Sequence, residues 1–234
     1  MKKIGIVLAM KEELESIRKY LKNERKITIF NLDFYDGYIY DTNCVLVECG
    51  VGKVNAARTT QILIDNLKVD MIINIGVAGG VSNELNIGDI VIGSKLVQHD
   101  FDITSFGHEK GFISGVGKYI DSDLKMVSLV EETAKKDNFK NVNILKGVIA
   151  SGDIFCTDPI MAKKIHDKFN ALCVEMEGAS IAQVCYLCNI PFIVLRSISD
   201  TPNGNNEIDF DTFLTDSSDV IANLLLNVLE TNKL

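Results

Sequence analysis

The chain has 234 residues, of which 47% are hydrophobic and 24% charged, and its formal net charge is −8. This composition is typical of a globular protein with its own core, and the acidic balance disfavours nucleic acid and anionic membrane surfaces as partners. The apolar run from Ile4 to Met10 has only seven residues, charges follow it at once, and no small-residue cleavage site follows, so we read it as a buried strand rather than a signal peptide. No other stretch reaches the length of a membrane span, so we expect one cytoplasmic domain, residues 1–234.

Apolar runs predict strands buried on both faces, in chain order over 3–9, 71–76, 89–97, 143–151, 172–176 and 191–199. Between 27 and 50 the pattern alternates, with turn residues at 36–37 and 41–43, which predicts antiparallel hairpin strands. Helical spacing predicts helices over 11–21, 53–67, 124–136, 159–169, 178–189 and 211–230, the fourth with Asp158 as N-cap and Pro159 in its first turn. The alternation predicts an α/β fold, a three-layer α/β/α sandwich around a central mixed β-sheet.

Cysteines and histidines offer little for a metal centre. The six cysteines are expected as free thiols in a reducing compartment. Cys185 and Cys188 have the spacing of half a zinc or redox site, but no second pair accompanies them, so we predict core-facing helix positions. The three histidines are scattered, and residues 99–102 (His-Asp-Phe-Asp) are predicted to form a surface loop. We expect no metal ion and no organic cofactor.

Ligands of open α/β sheets bind beyond the carboxyl ends of the strands, and here those ends carry carboxylates and glycines. They are Glu12 and Glu13 after the first run, Gly76, Gly79 and Gly80 after the second, Asp153 after the fourth, Glu175 and Glu177 around the fifth, and Asp200 after the last. Each carboxylate alone has a structural alternative, as a partner of a helix dipole or the start of a turn. The glycines match neither a phosphate loop nor a dinucleotide fingerprint, which leaves close approach to a small ligand or a tight turn.

Nine motifs follow one another in a familiar order: IGIVLAMKEELE, GVGKVNAA, IINIGVAGGV, IGDIVIG, DITSFG, ASGDIF, VEMEGASIAQVC, PFIVLRSISD and DFDTFL. With them the chain resembles, from Lys3 to about Leu229, the methylthioadenosine/S-adenosylhomocysteine nucleosidases of the nucleoside phosphorylase superfamily. VEMEGASIA together with RSISD is specific for the superfamily, and the acidic pair after Ala-Met together with SGDIF narrows it to the nucleosidases. The resemblance implies a nucleoside phosphorylase-like fold and an adenine nucleoside as substrate.

The resemblance also implies roles for individual residues. Glu13 would activate the attacking water, Asp200 would protonate N7 of adenine, and Glu177 would hold the ribose hydroxyls. The remaining substrate-binding positions would be Met176 against the sugar, Phe155 and Cys156 at adenine, Ala78 and Gly79 in a turn that approaches the ligand, Ser199 beside Asp200, and Phe210 in the segment that closes the site. Ile103 and Phe106 match residues lent by a neighbouring subunit, which implies a homodimer.

This set of carboxylates suits the cleavage of an N-glycosidic bond. Adenine leaves readily only when protonated, and a carboxylic acid can supply the proton if burial raises its pKa. We expect Asp200, at the end of an apolar run, to be such an acid. A second carboxylate activates water on the opposite face of the sugar, as in inverting glycoside hydrolases, and a third stabilises the positive charge that grows on the ribose.

Several alternatives remain open. A phosphorylase would need cations around phosphate, and none of the four arginines lies in 74–82, although lysines could replace them. The substrate could be methylthioadenosine, S-adenosylhomocysteine, 5′-deoxyadenosine or a futalosine-type nucleoside, with the apolar residues Met10, Val51, Ile103, Phe106 and Phe210 favouring the thionucleosides. A binding protein without turnover would lack a catalytic carboxylate. Val77, Cys156 and Lys11 depart from the common family pattern without removing a catalytic group.

Overall fold

The computed structural model describes residues 2–136, 139, 140, 142–201, 206–231, 233 and 234, with the backbone alone for 206–209 and 211. The strands are β1 Lys3–Leu8, β2 Lys22–Ile29, β3 Leu32–Ile39, β4 Thr42–Glu48, β5 Met71–Gly80, β6 Ile90–Gln98, β7 Ile120–Asp121, β8 Ile144–Ser151, β9 Ala171–Glu175 and β10 Phe192–Asp200. The helices are α1 Lys11–Arg18, α2 Lys53–Asp65, α3 Leu124–Ala134, α4 Pro159–Phe169, α5 Gly178–Cys188 and α6 Asn206–Glu230, and Thr104–Phe106 forms a 3-10 turn.

All ten strands belong to one mixed sheet. One wing is the run β1-β4-β3-β2, in which β1 and β4 are parallel and β3 is antiparallel to both of its neighbours. The first half of β5 pairs with β1, whereas its last two residues, Gly79 and Gly80, pair with β9. On its other side β5 runs parallel to β10. Because β10 also pairs with β6, β6 with β8 and β8 with β9, strands β5, β10, β6, β8 and β9 close into a ring.

Helices cover both faces of the sheet, which confirms the predicted three-layer fold. Helices α1, α3 and α6 pack on one face, where Ile4, Ile6 and Leu8 of β1 join their apolar side chains in one cluster. Helices α2 and α5 pack on the other face, against Val7 of β1 and the inward residues of β4 and β10. Helix α4 packs over β8 and β9 in a third, smaller cluster. Successive side chains of β1 point in turn into the two apolar layers, which explains the continuous hydrophobic run of this strand.

Most predicted elements are present, but the turns differ. The β2–β3 turn is at Phe30-Asn31, both with positive φ, and the predicted turn at Asp36-Gly37 is wrong because both residues pair within β3. Gly37 is needed there for space, since a Cβ would lie 2.6 Å from the carbonyl oxygen of Lys22. In α4, Asp158 accepts a hydrogen bond from Ile160 N as the predicted N-cap.

Three further expectations need correction. The segment with Ala78 and Gly79 is not a turn, because β5 continues through it to Gly80. Residues 99–102 do not form a simple surface loop, because His99 is buried with Nε2 unpartnered and directed at Gly152. Cys185 is buried as predicted, whereas Cys188 is half-exposed and its Sγ contacts Gln61 Oε1 at 3.6 Å. In the described part of the chain, no helix is long and apolar enough to span a bilayer.

Candidate active site

A cavity of about 310 Å³ opens where the carboxyl ends of the central strands meet. The ten residues that the sequence predicts for catalysis and substrate binding within one subunit all line it, namely Glu13, Ala78, Gly79, Phe155, Cys156, Met176, Glu177, Ser199, Asp200 and Phe210. Seven further residues complete the described lining, namely Ala9, Met10, Val51, Val77, Ile154, Val174 and Glu175. Ile103 and Phe106 lie outside this lining, and Phe106 is 81% exposed.

Backbone N–H groups bind the carboxylate of Glu13, and two of them come from the segment just before its own helix, α1. Its Oε2 accepts hydrogen bonds from Ala9 N (2.8 Å) and Met10 N (3.1 Å), and its Oε1 accepts one from Val77 N (3.0 Å). The carboxylate thus connects the segment after β1 with Val77 in β5. Burial raises the pKa of Glu13, while Arg196 and these three N–H groups oppose the rise.

Arg196 is the buried cation beneath the cavity. Its Nη2 donates to Asn74 Oδ1 (2.6 Å) and to Glu175 Oε2, and lies 3.9 Å from Glu177 Oε2. Glu175 also accepts hydrogen bonds from the Ser151 hydroxyl and the backbone N–H groups of residues 177 and 178. Burial would raise the pKa of Glu175, but Arg196 and these donors outweigh it and hold the pKa below its usual value. Glu175 is therefore the carboxylate that balances Arg196.

Glu177 is compensated less well than Glu175, because Arg196 Nη2 lies 3.9 Å from its Oε2. Its Oε1 accepts one hydrogen bond, from Gly52 N at 2.8 Å. Burial and repulsion from the Glu175 carboxylate raise the pKa of Glu177 to about 8, against the opposing effect of Arg196. Three buried glutamates, Glu13, Glu175 and Glu177, thus surround a single guanidinium group. Two of the three carboxyl groups have a raised pKa, because one cation cannot compensate all of them.

Asp200 ends β10 beside an irregularity in the strand. The pairing of β10 with β5 shifts between Ile198 and Asp200, so that Ile198 lies opposite Ala78 and Asp200 opposite Gly79. A bulge of this kind redirects a side chain. The Asp200 carboxyl, 1% exposed as a residue, accepts a hydrogen bond from the Ser199 hydroxyl at 2.8 Å. A Cβ at residue 79 would lie 3.0 Å from Asp200 Oδ2, so glycine there makes room for the carboxyl group.

Aromatic side chains form the wall near Asp200. The rings of Phe155 and Phe210 meet edge to face, with their centroids 5.6 Å apart. Phe155 is 44% exposed, so part of its ring remains free for contact with a ligand. Cys156 is buried beside them, and burial, with Asp158 and Asp200 nearby, raises the pKa of its thiol to about 11. The thiol therefore remains protonated at neutral pH.

The sequence places Glu175 among the strand-end carboxylates but predicts no role for it, and sequence reasoning missed Arg196 and Asn74 as parts of the site. One signal was available, because Arg196 interrupts the apolar run of β10, where a buried cation needs acidic partners. Among the described residues, no group of three or more His, Cys, Asp or Glu side chains could hold a metal ion.

Comparison with known proteins identifies the family. The model of the phosphorylase superfamily matches residues 3–230. The chain belongs to the phosphorylase superfamily. A 5′-methylthioadenosine/S-adenosylhomocysteine nucleosidase of Anoxybacillus flavithermus is 38% identical over 230 residues, covering 97% of this chain and 98% of that one. The predicted resemblance to these members of the superfamily is confirmed.

Solved structures within the superfamily share the whole fold. An S-adenosylhomocysteine nucleosidase of Streptococcus pyogenes, in complex with 5-methylthiotubericidin, matches with a TM-score of 0.95 at 37% identity, over 100% of this chain and 98% of the other. Futalosine hydrolase of Helicobacter pylori matches with a TM-score of 0.93 at 33% identity, over 98% of both chains.

Proposed function

We propose that the protein hydrolyses the N-glycosidic bond of adenine nucleosides with a 5′-thioether substituent, 5′-methylthioadenosine and S-adenosylhomocysteine, and releases adenine. The observation that carries the proposal is a pair of buried carboxyl groups, Glu13 and Asp200, facing one largely apolar cavity. A curated relative with the name 5′-methylthioadenosine/S-adenosylhomocysteine nucleosidase, 38% identical over nearly the whole chain, supports the choice of substrate.

The placement of the two carboxyl groups supports this chemistry. Gly76 lies against Glu13 and Gly79 against Asp200, so the two carboxyl groups reach β5 at separate positions along the strand. In inverting glycoside hydrolases, one carboxyl group is the acid and the other activates a water molecule on the opposite face of the sugar. In the proposed reaction Glu13 takes a proton from the attacking water, and Asp200 gives one to N7 of the departing adenine.

The remaining lining residues provide binding and charge stabilisation. Phe155 and Phe210 offer ring faces and edges to the base, and Met176 packs against the ribose. Glu177 holds the ribose hydroxyls, and in its ionised form it stabilises the oxocarbenium-like sugar as the bond breaks. Met10 and Val51 provide apolar contact for the 5′ substituent at the same cavity.

The charges of the cavity favour water over phosphate as the nucleophile. No lysine or arginine is among the described lining residues, and Arg196 lies behind Glu175. A phosphate dianion would meet the carboxyl groups of Glu13, Glu175 and Glu177 without a cation of its own. A phosphorylase needs such cations, so we expect turnover without phosphate.

We also propose a homodimer. Phe106 and Ile103 lie on the segment that follows β6, and the ring of Phe106 is 81% exposed in a single subunit. This ring is free to pack against a second subunit, in agreement with the resemblance of Ile103 and Phe106 to residues lent by a neighbouring subunit. In the dimer, both residues would contact the site of the partner subunit.

The first experiment is adenine release from 5′-methylthioadenosine in phosphate-free buffer, with identification of the sugar product. Free methylthioribose is the expected product, whereas a sugar 1-phosphate formed only with added phosphate would contradict the proposal.

The matched variant is Asp200→Asn, which keeps the size of the side chain and removes the acid. We expect adenine release to fall by about 10³-fold or more with an unchanged circular dichroism spectrum. Wild-type turnover by this variant would contradict the role of Asp200. Futalosine is included as a second substrate because the fold matches futalosine hydrolase over 98% of both chains.

A further inference from the structure

The start of helix α2 forms part of the site wall without a cap of its own. Gly52, at the N-cap position with φ 101°, provides no side chain that could cap the helix. Its N–H groups are used elsewhere, because Gly52 N donates to Glu177 Oε1 and Lys53 N donates to Asp153 Oδ1, both at 2.8 Å. The position of Glu177 therefore depends on what fixes the start of α2.

The side chain of Lys53 provides that fixation. Its Nζ donates to both carboxylate oxygens of Asp100, at 2.7 and 2.8 Å, and to Gln98 Oε1 at 3.3 Å. The Lys53 and Asp100 side chains are only 17% and 21% exposed, so solvent screens this pair less than a surface pair. Asp153 completes a triangle, since its N–H donates to Asp100 Oδ2 at 3.0 Å.

The triangle of Lys53, Asp100 and Asp153 joins three segments that reach the site. Residue 52 binds the carboxylate of Glu177, residues 154–156 follow Asp153 directly and line the cavity, and residues 103–106 follow Asp100. The side chain of Gln98 also contacts α5, because its Nε2 donates to Gln183 Oε1 at 2.7 Å. One ammonium group thus connects the base wall, the sugar-binding carboxylate and the exposed segment at Phe106.

We propose that Lys53, through its ion pair with Asp100, is a positioning residue that sets where Glu177 meets the sugar. The inference rests on the proposed function, because it assigns Lys53 a part in that reaction without contact with the reacting atoms. When the ion pair is lost, the start of α2 is no longer held and the Gly52–Glu177 hydrogen bond weakens.

The consequence for Glu177 has a definite sign. Glu177 faces Glu175 on β9, Arg196 on β10, Glu13 on α1, the buried Cys49 thiol after β4 and the N–H of Gly52 at α2. Glu175 and Glu13 raise the pKa of Glu177, whereas Arg196 and Gly52 lower it. Weakening the Gly52 hydrogen bond therefore raises the pKa further, and the acid limb of kcat/KM moves to higher pH.

The test compares Lys53→Met and Asp100→Asn with a matched control, Lys3→Met. Lys3 forms an ion pair with Asp36, with side-chain exposures of 22% and 14%, at the opposite end of the sheet. We expect both site variants to lower kcat/KM about tenfold at pH 7 and to move the acid limb upward by about half a pH unit or more. The control should change neither kcat/KM at pH 7 nor the acid limb of its pH profile. Lys53→Arg, which keeps the cation, should retain the wild-type acid limb.

A second measurement needs no substrate. In wild type, the Gly52 amide resonance should titrate with Glu177, and in Lys53→Met and Asp100→Asn its midpoint should move to higher pH. If Lys53→Met and Asp100→Asn change neither the acid limb of kcat/KM nor the midpoint of the Gly52 titration, the proposal is overturned, even if either variant is less stable than wild type. If Lys53→Met does not fold, Asp100→Asn and Lys53→Arg still decide. If the wild-type protein releases no adenine, the proposed function fails, while the Gly52 titration still tests the role of Lys53.

Discussion

Two glutamates of the cavity differ in how well their negative charge is compensated. Glu175 and Glu177 are two residues apart and both buried, yet the pKa of the first is lowered and that of the second raised to about 8. The difference lies in their partners, because Arg196 and the Ser151 hydroxyl bind Glu175, whereas Glu177 has one backbone donor. A carboxyl group with a raised pKa is suited to a ligand that brings hydrogen-bond donors or positive charge.

The substitution Glu177→Gln tests this difference through the pH dependence of the protein's stability. Between its ordinary pKa of 4.5 and about 8, Glu177 binds a proton in the folded protein but not in the unfolded chain. Stability therefore falls as pH rises through this range, and glutamine removes the loss while it keeps an acceptor for Gly52 N–H. We expect the variant to be more stable than wild type at pH 9, by an amount on the order of 2 kcal/mol, with the gain vanishing towards pH 5 in thermal unfolding.

Glu175→Gln serves as the contrasting variant. Its carboxylate is bound to Arg196, so glutamine leaves a buried guanidinium without its charge partner, which typically costs about 3–5 kcal/mol. Equal effects of the two substitutions at pH 9 would contradict this account of the cluster.

The sequence predicts the residues of the site better than it predicts their partners. The carboxylates at strand ends stand out because strand ends are where ligands bind in α/β sheets. The ion pair between Arg196 and Glu175 joins residues on β10 and β9 that are 21 positions apart in the chain. The periodicity of a single segment does not predict such a contact. The roles of Glu13, Glu177 and Asp200 came from motif resemblance and remain predictions.

At the level of elements, β5 differs most from its prediction. The sequence suggests a strand that ends at Gly76 and a glycine turn beyond it. The structure instead extends the strand to Gly80, because β10 on one side and β9 on the other pair with these residues. Glycine is required by neighbouring carboxyl groups, since a Cβ at residue 76 would lie 2.5 Å from Glu13 Oε1.

Gly76→Ala tests this explanation. The added methyl group would displace the Glu13 carboxylate from the N–H groups that hold it, and a misplacement of about 1 Å typically costs about 10²-fold in rate. We expect kcat for adenine release to fall by about that factor. Gly80→Ala on the same strand is the control, because its Cβ would meet Ile198 Cγ2 at 3.2 Å and would not contact a cavity carboxyl group, so we expect the loss of rate to stay within a few-fold. Similar losses in both variants would point to general disruption of β5.

At the level of the whole molecule, we propose a single domain. Strands from both halves of the chain alternate in one sheet, and α1 near the N-terminus packs against α6 at the C-terminus. The order of strands and helices is predictable from periodicity. The ring of five strands is not, because it depends on the pairing of β5 with β9 and of β10 with β6, which lie far apart in the chain.

The proposed dimer predicts a coupled loss of assembly and activity in Phe106→Asp. A charge in a buried apolar contact is unfavourable, so we expect a monomer in sedimentation velocity at micromolar concentration and adenine release lowered at least tenfold. Leu124→Asp is a matched control, because Leu124 on α3 is 77% exposed and far from residues 103–106 in the chain. A monomeric wild-type protein with full activity would contradict the dimer.

The ring of strands also determines how the molecule can associate. An open sheet offers two rows of unpaired backbone groups to other chains. In the described part of this chain, β10 pairs with β5, so the sheet ends on β2, apart from the two-residue strand β7 beside β6. That strand begins Lys-Asn-Glu-Arg-Lys, with these side chains exposed, which discourages strand addition by a second molecule. Self-recognition is thereby directed away from backbone pairing and towards side-chain surfaces, where shape and sequence can discriminate between partners.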